Sequence, residues 1–438
     1  MPQKNGKTTI LTSKTRLWLI SLCLLALLLS ACDVRNPPRQ TTPTPASTLK
    51  PILNKDYTPE PTSLPATATP TATFTATLPP TVTPTPKIIM AALLPIAQIQ
   101  LESPHYAWGS DLQQRRIFRS VDSGTTWKEV TPPDATNGEY YSGSVVFLGA
   151  NEAWLLVSKP DETSVLFHTI DAGVSWNKTD LPFPGGQMSF SRLDGATEAT
   201  GVILADLGVG AGSNWVAVYA STDSGKTWSQ TFTHTPGEGE SSLPAGGIKS
   251  SMTYDGKNDL WITGSMPVDN FLYLYRSTDL GKSWAAQSCE MQQVAESVMY
   301  ETYKPVWVTP DEGFLPIRVF YGSTDMKTVF CHTVNHGADW QFLSILEETS
   351  FQSFLDETHG WVGSANRLLR TSDGGHTWED LSAAIPAGES IVSMDFGTGD
   401  IGVLITNPSN FDNPNENKLY LSIDGGTSWS LLPTSLNP

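Results

Sequence analysis

Seven short motifs repeat one pattern of polar residues along this chain. In each, an Asp or Asn is followed two residues later by Gly, as in Ser221-Thr-Asp223-Ser-Gly225-Lys-Thr-Trp228. Carboxylates in series could bind a cation if they converged on one point. Successive Asp or Asn positions, however, are 49, 52, 56, 56, 38 and 51 residues apart, so each belongs to its own repeat. We therefore expect these side chains to serve the structure.

The chemistry expected of each motif is the closure of a turn. A short Asp side chain can accept hydrogen bonds from backbone N–H groups two or three residues on, and Gly supplies positive φ. The acceptor positions are Asp122, Asp171, Asp223, Asp279, Asn335, Asp373 and Asp424. The motifs end at Trp127, Trp176, Trp228, Trp284, Trp340, Trp378 and Trp429, whose rings can cover the hairpin and the next repeat.

Other residues that could bind a metal or form a crosslink have simpler explanations. His332 and His336 show the i, i+4 spacing of zinc-binding helices, but they flank the fifth motif, where a strand is expected. We predict no metal and no cofactor. Cys289 and Cys331 could form a disulfide in an oxidising compartment, although the sequence leaves their pairing open.

The elements around each motif are predicted to be strands. An apolar triplet such as Leu274-Tyr275-Arg276 precedes each motif, and a Trp-marked strand often lies upstream, as at Leu260-Trp261. A third strand precedes that one, as at Val145–Leu148, and a fourth follows each motif. With Gly 35, Pro 32 and 16% charged residues, the composition favours short strands and turns over helices. Four antiparallel strands per repeat describe a β-propeller blade.

The eight-residue motif resembles the Asp-box, or BNR, repeat. This repeat occurs in bacterial sialidases, sortilin-type receptors, xyloglucanases and photosystem II assembly-factor propellers, and the resemblance covers about residues 94–433. It implies an all-β fold, which we expect to be a single seven-bladed propeller over residues 88–438.

The sialidase resemblance implies the sharpest enzymatic hypothesis. That family needs three arginines around a carboxylate, a Tyr nucleophile with a Glu partner and an Asp acid/base, and its Phe/Tyr-Arg-Ile-Pro signature is missing here. Arg119, Arg276 and Arg370 occupy equivalent third-strand positions, away from the propeller axis. Only Arg192, with Arg318 near it, is expected on an inner strand. A glycosidase with two carboxylates stays as the alternative function.

The longest connections are expected at the end of the propeller opposite the boxes. Loops mounted on a rigid scaffold usually carry binding sites, so we place a ligand face there. Its candidate residues are Glu139, Tyr140, Tyr141, Asp161, Arg192, Glu238, Arg318, Phe411 and Asp412.

The N-terminal region is predicted to export and anchor the chain. Basic residues end at Arg16, and an apolar run to Leu29 is followed by Ser30-Ala31-Cys32, which resembles the bacterial lipobox. That resemblance implies a signal peptide over 1–31 and a lipid on Cys32. Residues 33–87 are rich in Thr and Pro and are expected to form a disordered tether, so that the lipidated Cys32 and the linker span 32–87.

The net charge of the chain limits the classes of molecule that it can bind. The formal net charge of −17 argues against nucleic acid, because phosphates require cations. We expect a monomeric, extracytoplasmic lipoprotein of a cell membrane that binds a protein or glycan without catalysis. The apolar run Ile88–Leu93 has no place in the repeats, and we expect it to pair with or cover a terminal blade.

Overall fold

The computed structural model describes residues 95–437 except 137, 142, 194, 211, 236–240, 256–258, 293, 295–297, 323–324 and 409–415. The predicted signal segment, the tether and the run 88–93 lie outside the described residues, as do Cys32, Glu238, Phe411 and Asp412. Within the described part of the chain, no helix has the length and apolar character that a membrane span requires.

The described residues form antiparallel groups of four strands, which we call units and number by the box that each contains. Unit 1 comprises β1 (Gln98–Leu101), β2 (Ala107–Ser110), β3 (Ile117–Ser120) and β4 (Thr126–Glu129). Unit 2 comprises β5 (Gly143–Leu148), β6 (Glu152–Ser158), β7 (Ser164–Thr169) and β8 (Asn177–Leu181). Unit 3 comprises β9 (Gly186–Ser191), β10 (Thr200–Gly210), β11 (Ser213–Ser221) and β12 (Ser229–His234).

The fourth and fifth units are joined through an additional short strand. Unit 4 comprises β13 (Ile248–Tyr254), β14 (Leu260–Ser265), β15 (Leu274–Ser277) and β16 (Ala285–Ala286), and β17 (Cys289–Glu290) follows it. Unit 5 comprises β18 (Met299–Thr302) and β19 (Val306–Trp307), which together form its inner strand, then β20 (Gly313–Tyr321), β21 (Asp325–Thr333) and β22 (Trp340–Glu347).

The last two units complete the order. Unit 6 comprises β23 (Phe351–Phe354), β24 (Gly360–Ser364), β25 (Arg367–Thr371) and β26 (Glu379–Asp380). Unit 7 comprises β27 (Ser390–Phe396), β28 (Gly402–Asn407), β29 (Lys418–Ser422) and β30 (Ser430–Leu431), and β31 (Ser435–Asn437) follows. Two 3₁₀ turns, Pro133–Thr136 and Ser382–Ala384, are the only helical elements among the described residues.

The strands group into six sheets. Units 2, 3, 6 and 7 each form a four-stranded sheet, unit 1 forms a five-stranded sheet with β31, and units 4 and 5 share a ten-stranded sheet. The fold is an all-β propeller built of four-stranded antiparallel sheets. The number of blades stays a prediction.

Each box forms the hairpin between the third and fourth strands of its unit, and its Asp, or Asn335 in the fifth box, holds the turn closed. Asp223 Oδ1 accepts the backbone N–H of Thr227 at 2.9 Å, and Oδ2 accepts the Thr227 hydroxyl at 2.6 Å. The backbone donor therefore lies four residues on, not two or three as the sequence suggested. Ser221 Oγ accepts the Gly225 N–H at 2.9 Å, where φ is +86°. The residue before Gly225, Ser224, also has positive φ, so two consecutive residues make the turn.

The hydrophobic core lies between units. Trp108 and Ile117 of unit 1 pack with Leu155 of unit 2, and similar clusters join each later unit to the next. Ile99 and Trp127 of unit 1 share a cluster with residues of unit 7, so the packing closes on itself.

The two ends of the described chain meet in unit 1. β31 follows unit 7 and runs parallel to β4 of unit 1, with Leu436 opposite Trp127. The sequence predicted four strands for each repeat, and it did not predict this extra strand. An analogous parallel pair joins β17 to β22, with Cys289 opposite Trp340, and Cys289 also forms a disulfide with Cys331.

Candidate functional site

A cavity of about 1430 Å³ lies along the propeller axis. The inner strands line it, beginning with Gln98 and Gln100 of β1, Ser144 of β5 and Gln187 of β9. Lys249, Glu301, Gln352 and Ser393 represent the inner strands of units 4 to 7. Each inner strand starts at the end opposite the boxes, because the box hairpins and the hairpins between first and second strands share one end. The cavity therefore borders the loop end, which the sequence predicted as the ligand face.

Neighbouring units cap the free edges of the inner strands. Gln114 Oε1 accepts the Val145 N–H at 3.1 Å, and Gln187 Oε1 accepts the Met252 N–H at 3.2 Å. Asp395 Oδ2 accepts the Leu101 N–H at 2.7 Å. Donors that would otherwise face the cavity are thus satisfied by side chains, as buried backbone groups require.

An ionic cluster lies on the wall of unit 5. Arg318 Nη1 lies 3.1 Å from Glu301 Oε2, and its Nη2 lies 3.2 Å from Glu348 Oε1. The Tyr303 hydroxyl donates to Glu301 at 3.2 Å, and the Arg318 guanidinium stacks over the Tyr303 ring. Burial raises the pKa of the Tyr303 hydroxyl, and the nearby Glu301 carboxylate raises it further, which keeps the phenol protonated at neutral pH.

Two lysines line the cavity in different ways. Lys249 is buried in the wall, where its ammonium donates to the carbonyls of Asn214 and Ala245, each at 2.7 Å. Burial lowers the pKa of Lys249 to about 8. Lys304 is exposed within the cavity, and the surrounding walls lower the pKa of its ammonium by displacing water. Of these two lysines, Lys249 alone is engaged by acceptors among the described residues.

The predicted ligand-face residues occupy different environments. Tyr141 is 60% exposed and lines the cavity, whereas Tyr140 is 3% exposed and belongs to the core between units 1 and 2. Glu139 is exposed but does not line the cavity. Asp161 is exposed and caps its own loop, because it accepts the backbone N–H and hydroxyl of Thr163.

The arginine predictions need one correction. Arg192 follows the end of β9 at the box end of the propeller, where its Nη2 lies 2.5 Å from Glu152 Oε2. It therefore lies at the opposite end from the predicted ligand face, because inner strands run towards the boxes. Arg318 is on β20, the second strand of unit 5, and reaches the cavity wall through Glu301. Arg192 and Arg318 do not meet at one site.

Two of the third-strand arginines link neighbouring units at the box end. Arg119 Nη2 donates to the Ala150 carbonyl of unit 2 at 2.6 Å, and Arg370 Nη1 donates to the Gly425 carbonyl of unit 7 at 3.2 Å. His332 Nε2 lies 2.7 Å from Glu312. The sequence placed these side chains away from the axis, and the contacts agree with that placement.

One group of described side chains could hold a cation. Ligand atoms of Asp255, Asp259 and His336 all lie within 4.8 Å of one another. His336 Nε2 lies 2.7 Å from Asp255 Oδ2 and 3.3 Å from Asp259 Oδ2, while Arg276 pairs with Asp259. His336 links units 4 and 5 through these two carboxylates, and Arg276 offsets the charge of Asp259, so the contacts do not require a metal.

Sequence reasoning missed Lys249, Glu301, Tyr303 and Lys304. A usable signal was present, since glutamine recurs on inner strands at Gln100, Gln187 and Gln352. Glutamine is not among the β-branched and aromatic residues that are enriched in strands, so its repeated use in first strands favours a role in the cavity.

The repeats, the sheets and the axial cavity define a BNR-type β-propeller. The family described as photosynthesis system II assembly factor YCF48 matches residues 95–244, and the chain resembles the photosystem II assembly factors.

Curated relatives fall into two groups. The photosystem II stability/assembly factor HCF136 of Oryza sativa subsp. japonica is 23% identical over 67% of this chain and 72% of its own length. The photosystem II assembly lipoprotein Ycf48 of Prochlorococcus marinus is 49% identical over 10% of this chain and 14% of its own length. A xyloglucanase of Hypocrea jecorina is 25% identical over 61% of this chain, and the match spans 38% of the xyloglucanase.

A solved structure described as YCF48 bound to D1 peptide is also similar. It is 19% identical, with a TM-score of 0.49, and the match covers 76% of this chain and 95% of that one.

Proposed function

We propose that this protein is a non-enzymatic scaffold that binds a protein partner through the loop end of its propeller. The observation that carries the proposal is the engagement of acidic side chains along the cavity. Glu301 is held by Arg318 and Tyr303, while Asp206 accepts the Gly208 N–H and the Asn214 amide. Carboxylates with these partners are suited to hold a wall in place.

A glycosidase would need two carboxyl groups free to flank a sugar. Among the described acids that line the cavity, Glu162 alone has no side-chain partner, and it lies in an exposed loop. The xyloglucanase match keeps hydrolysis as the competing function, and it supplies the substrate for a direct test.

Relatives support a protein partner. The names of the rice and Prochlorococcus proteins describe photosystem II assembly, which is a task of protein association. Residues 88–438 hold 18 basic and 41 acidic side chains, for a net charge of −23. A partner with a basic surface would be attracted to this domain and would associate faster at low salt.

We also propose that a lipid on Cys32 holds the propeller at the extracytoplasmic face of a membrane. The support is the lipobox-like Leu29-Ser30-Ala31-Cys32 together with the description of the Prochlorococcus relative as a lipoprotein. In cells fed an alkynyl fatty acid, the parent should be labelled and Cys32→Ala should not. Equal labelling of both proteins would refute the anchor.

The partner proposal is tested by photocrosslinking from two positions. A benzophenone amino acid replaces Tyr141 at the loop end or Val174 at the box end, since both side chains are exposed. The first protein should yield a defined adduct with source-cell membranes, and the second should not. Adducts of equal yield from both ends, or release of reducing sugar from xyloglucan by the parent, would contradict the proposal.

A further inference from the structure

Neutral hydrogen-bonding side chains make up most of the polar part of the axial cavity's lining. Amides are contributed by Gln98, Gln100, Gln114, Gln187 and Gln352, and hydroxyls by serines of several inner strands. Drug-sized ligands usually occupy pockets of about 300–1,000 Å³, so a cavity of about 1430 Å³ has room for several linked rings. Amides and hydroxyls both donate and accept, as recognition of a polyhydroxylated ligand requires.

The inner strands are poorly suited to pair with a peptide. An extended peptide commonly binds by adding a strand to an open sheet edge. Here the edge N–H groups of Val145, Met252, Tyr254, Leu101 and Phe396 already donate to side chains of neighbouring units. The engagement of these N–H groups favours recognition of a cavity ligand by side chains.

An aromatic ring borders the same cavity. Tyr141 lies in the connection from unit 1 to unit 2, lines the cavity and is 60% exposed. A large exposed ring beside a polar cavity offers an apolar face, while its hydroxyl stays in water. Such a surface suits the flat C–H face of a pyranose ring.

One uncommitted cation completes the lining. Lys304 is exposed within the cavity, and none of the described residues forms a hydrogen bond or ion pair with its ammonium. Arg318, in contrast, is held by Glu301 and Glu348, and the Lys249 ammonium donates to backbone carbonyls. The ammonium of Lys304 can therefore meet a ligand carboxylate without breaking an existing ion pair.

We propose that the axial cavity binds an acidic oligosaccharide, with a uronate carboxylate at Lys304, hydroxyls on the Gln352 amide and the serine side chains, and a sugar ring on Tyr141. This site goes beyond the proposed protein partner. It would give the scaffold a second ligand, such as an anionic polysaccharide close to the membrane.

The test measures binding of trigalacturonate to the purified full chain by calorimetry, with cellotriose as the neutral comparison. We expect the parent to bind trigalacturonate more tightly than cellotriose. Lys304→Gln should bind trigalacturonate about tenfold more weakly, as expected for the loss of a charge-assisted hydrogen bond, and should leave cellotriose binding unchanged. Tyr141→Ala should weaken both ligands, because stacking does not depend on the carboxylate.

Lys282→Gln is the matched control, since Lys282 is exposed in the fourth box at the opposite end. Melting curves establish that each variant is folded, and trigalacturonate should protect Lys304, but not Lys282, from acetylation. The proposal is overturned if the parent does not bind trigalacturonate, if Lys304→Gln binds it as the parent does, or if an acidic peptide binds at Lys304 in its place. These results are independent of the photocrosslinking test of the protein partner.

Discussion

Leu436 of β31 lies directly opposite Trp127 of the first box, although the two residues belong to opposite ends of the propeller sequence. Ser435 and Asn437 pair with the residues on either side of Trp127. The chain thus adds its last described strand to the sheet of its first unit, and this pairing complements the hydrophobic cluster between units 7 and 1.

The seam between units 7 and 1 consists of the β31–β4 pairing and the hydrophobic cluster that the two units share. Deletion of residues 434–438 should weaken this seam. The change removes the backbone pairing of β31 and the contact of Leu436, together on the order of 3 kcal/mol of unfolding free energy. Urea denaturation followed by Trp fluorescence measures the loss. Leu431→Ala in β30, another partly exposed outer-strand leucine, is the control and should cost less than the deletion. A deletion variant as stable as the parent would mean that the pairing adds nothing to the seam.

The box aspartates should contribute to stability. Asp223→Ala leaves the Thr227 N–H and hydroxyl and the Ser221 hydroxyl without their acceptor, which should cost about 1–3 kcal/mol. Asp223→Asn should cost less, because Asn335 closes the fifth box with the same backbone contact, at 3.0 Å to Asp339. Thermal melting compares the three proteins. An Asp223→Ala variant that melted like the parent but lost its ligand would give this residue a binding role.

Asp395 should make stability depend on pH. Burial raises its pKa from 3.8 to about 6, although hydrogen bonds from Leu101 and Ser353 favour the charged form. A carboxyl with a raised folded-state pKa adds stability below its unfolded pKa, and this contribution is lost as pH rises from about 4 through 6. Asp395→Asn should therefore gain stability relative to the parent between pH 4 and 7. Denaturation at each pH tests this, and a difference that stays constant or falls across that range would contradict the assignment.

The disulfide between Cys289 and Cys331 should stabilise the junction of units 4 and 5. It spans 42 residues, and loop entropy predicts a contribution of about 4 kcal/mol. Cys289→Ser with Cys331→Ala should unfold at lower urea than the oxidised parent. The parent in reducing buffer should approach the double variant, which itself should not respond to reductant. Identical midpoints for all samples would show that the crosslink does not limit unfolding.

Local sequence was enough to predict the hairpins. The Asp, Gly and Trp of each box lie within eight residues, so their turn chemistry can be inferred without the rest of the fold. The apolar triplets before the boxes, such as Leu274–Arg276, are third strands as expected. The burial of Lys249 in the cavity wall and of Tyr140 in the core was not predictable in this way.

The features that the sequence did not predict depend on contacts between residues that are far apart in the chain. Glu301 and Arg318 meet because β18 and β20 pair, and Lys304 follows in the break between β18 and β19. Arg192 appeared suited to the ligand face until the register of β9 showed which end of the strand it follows. Deleting residues 88–94 stays a separate test of the apolar run, since that segment lies outside the described residues.

At the seam between units 7 and 1, a short strand runs parallel to the box tryptophan strand of the next unit. The junction of units 4 and 5 has the same arrangement. An open array of repeats has two end repeats with one neighbour each, and these can fray on their own. A ring closed by such strand pairing has no end repeat. Opening any unit exposes two apolar interfaces at once. We therefore expect the whole ring to unfold in a single cooperative step, and not gradually from one end.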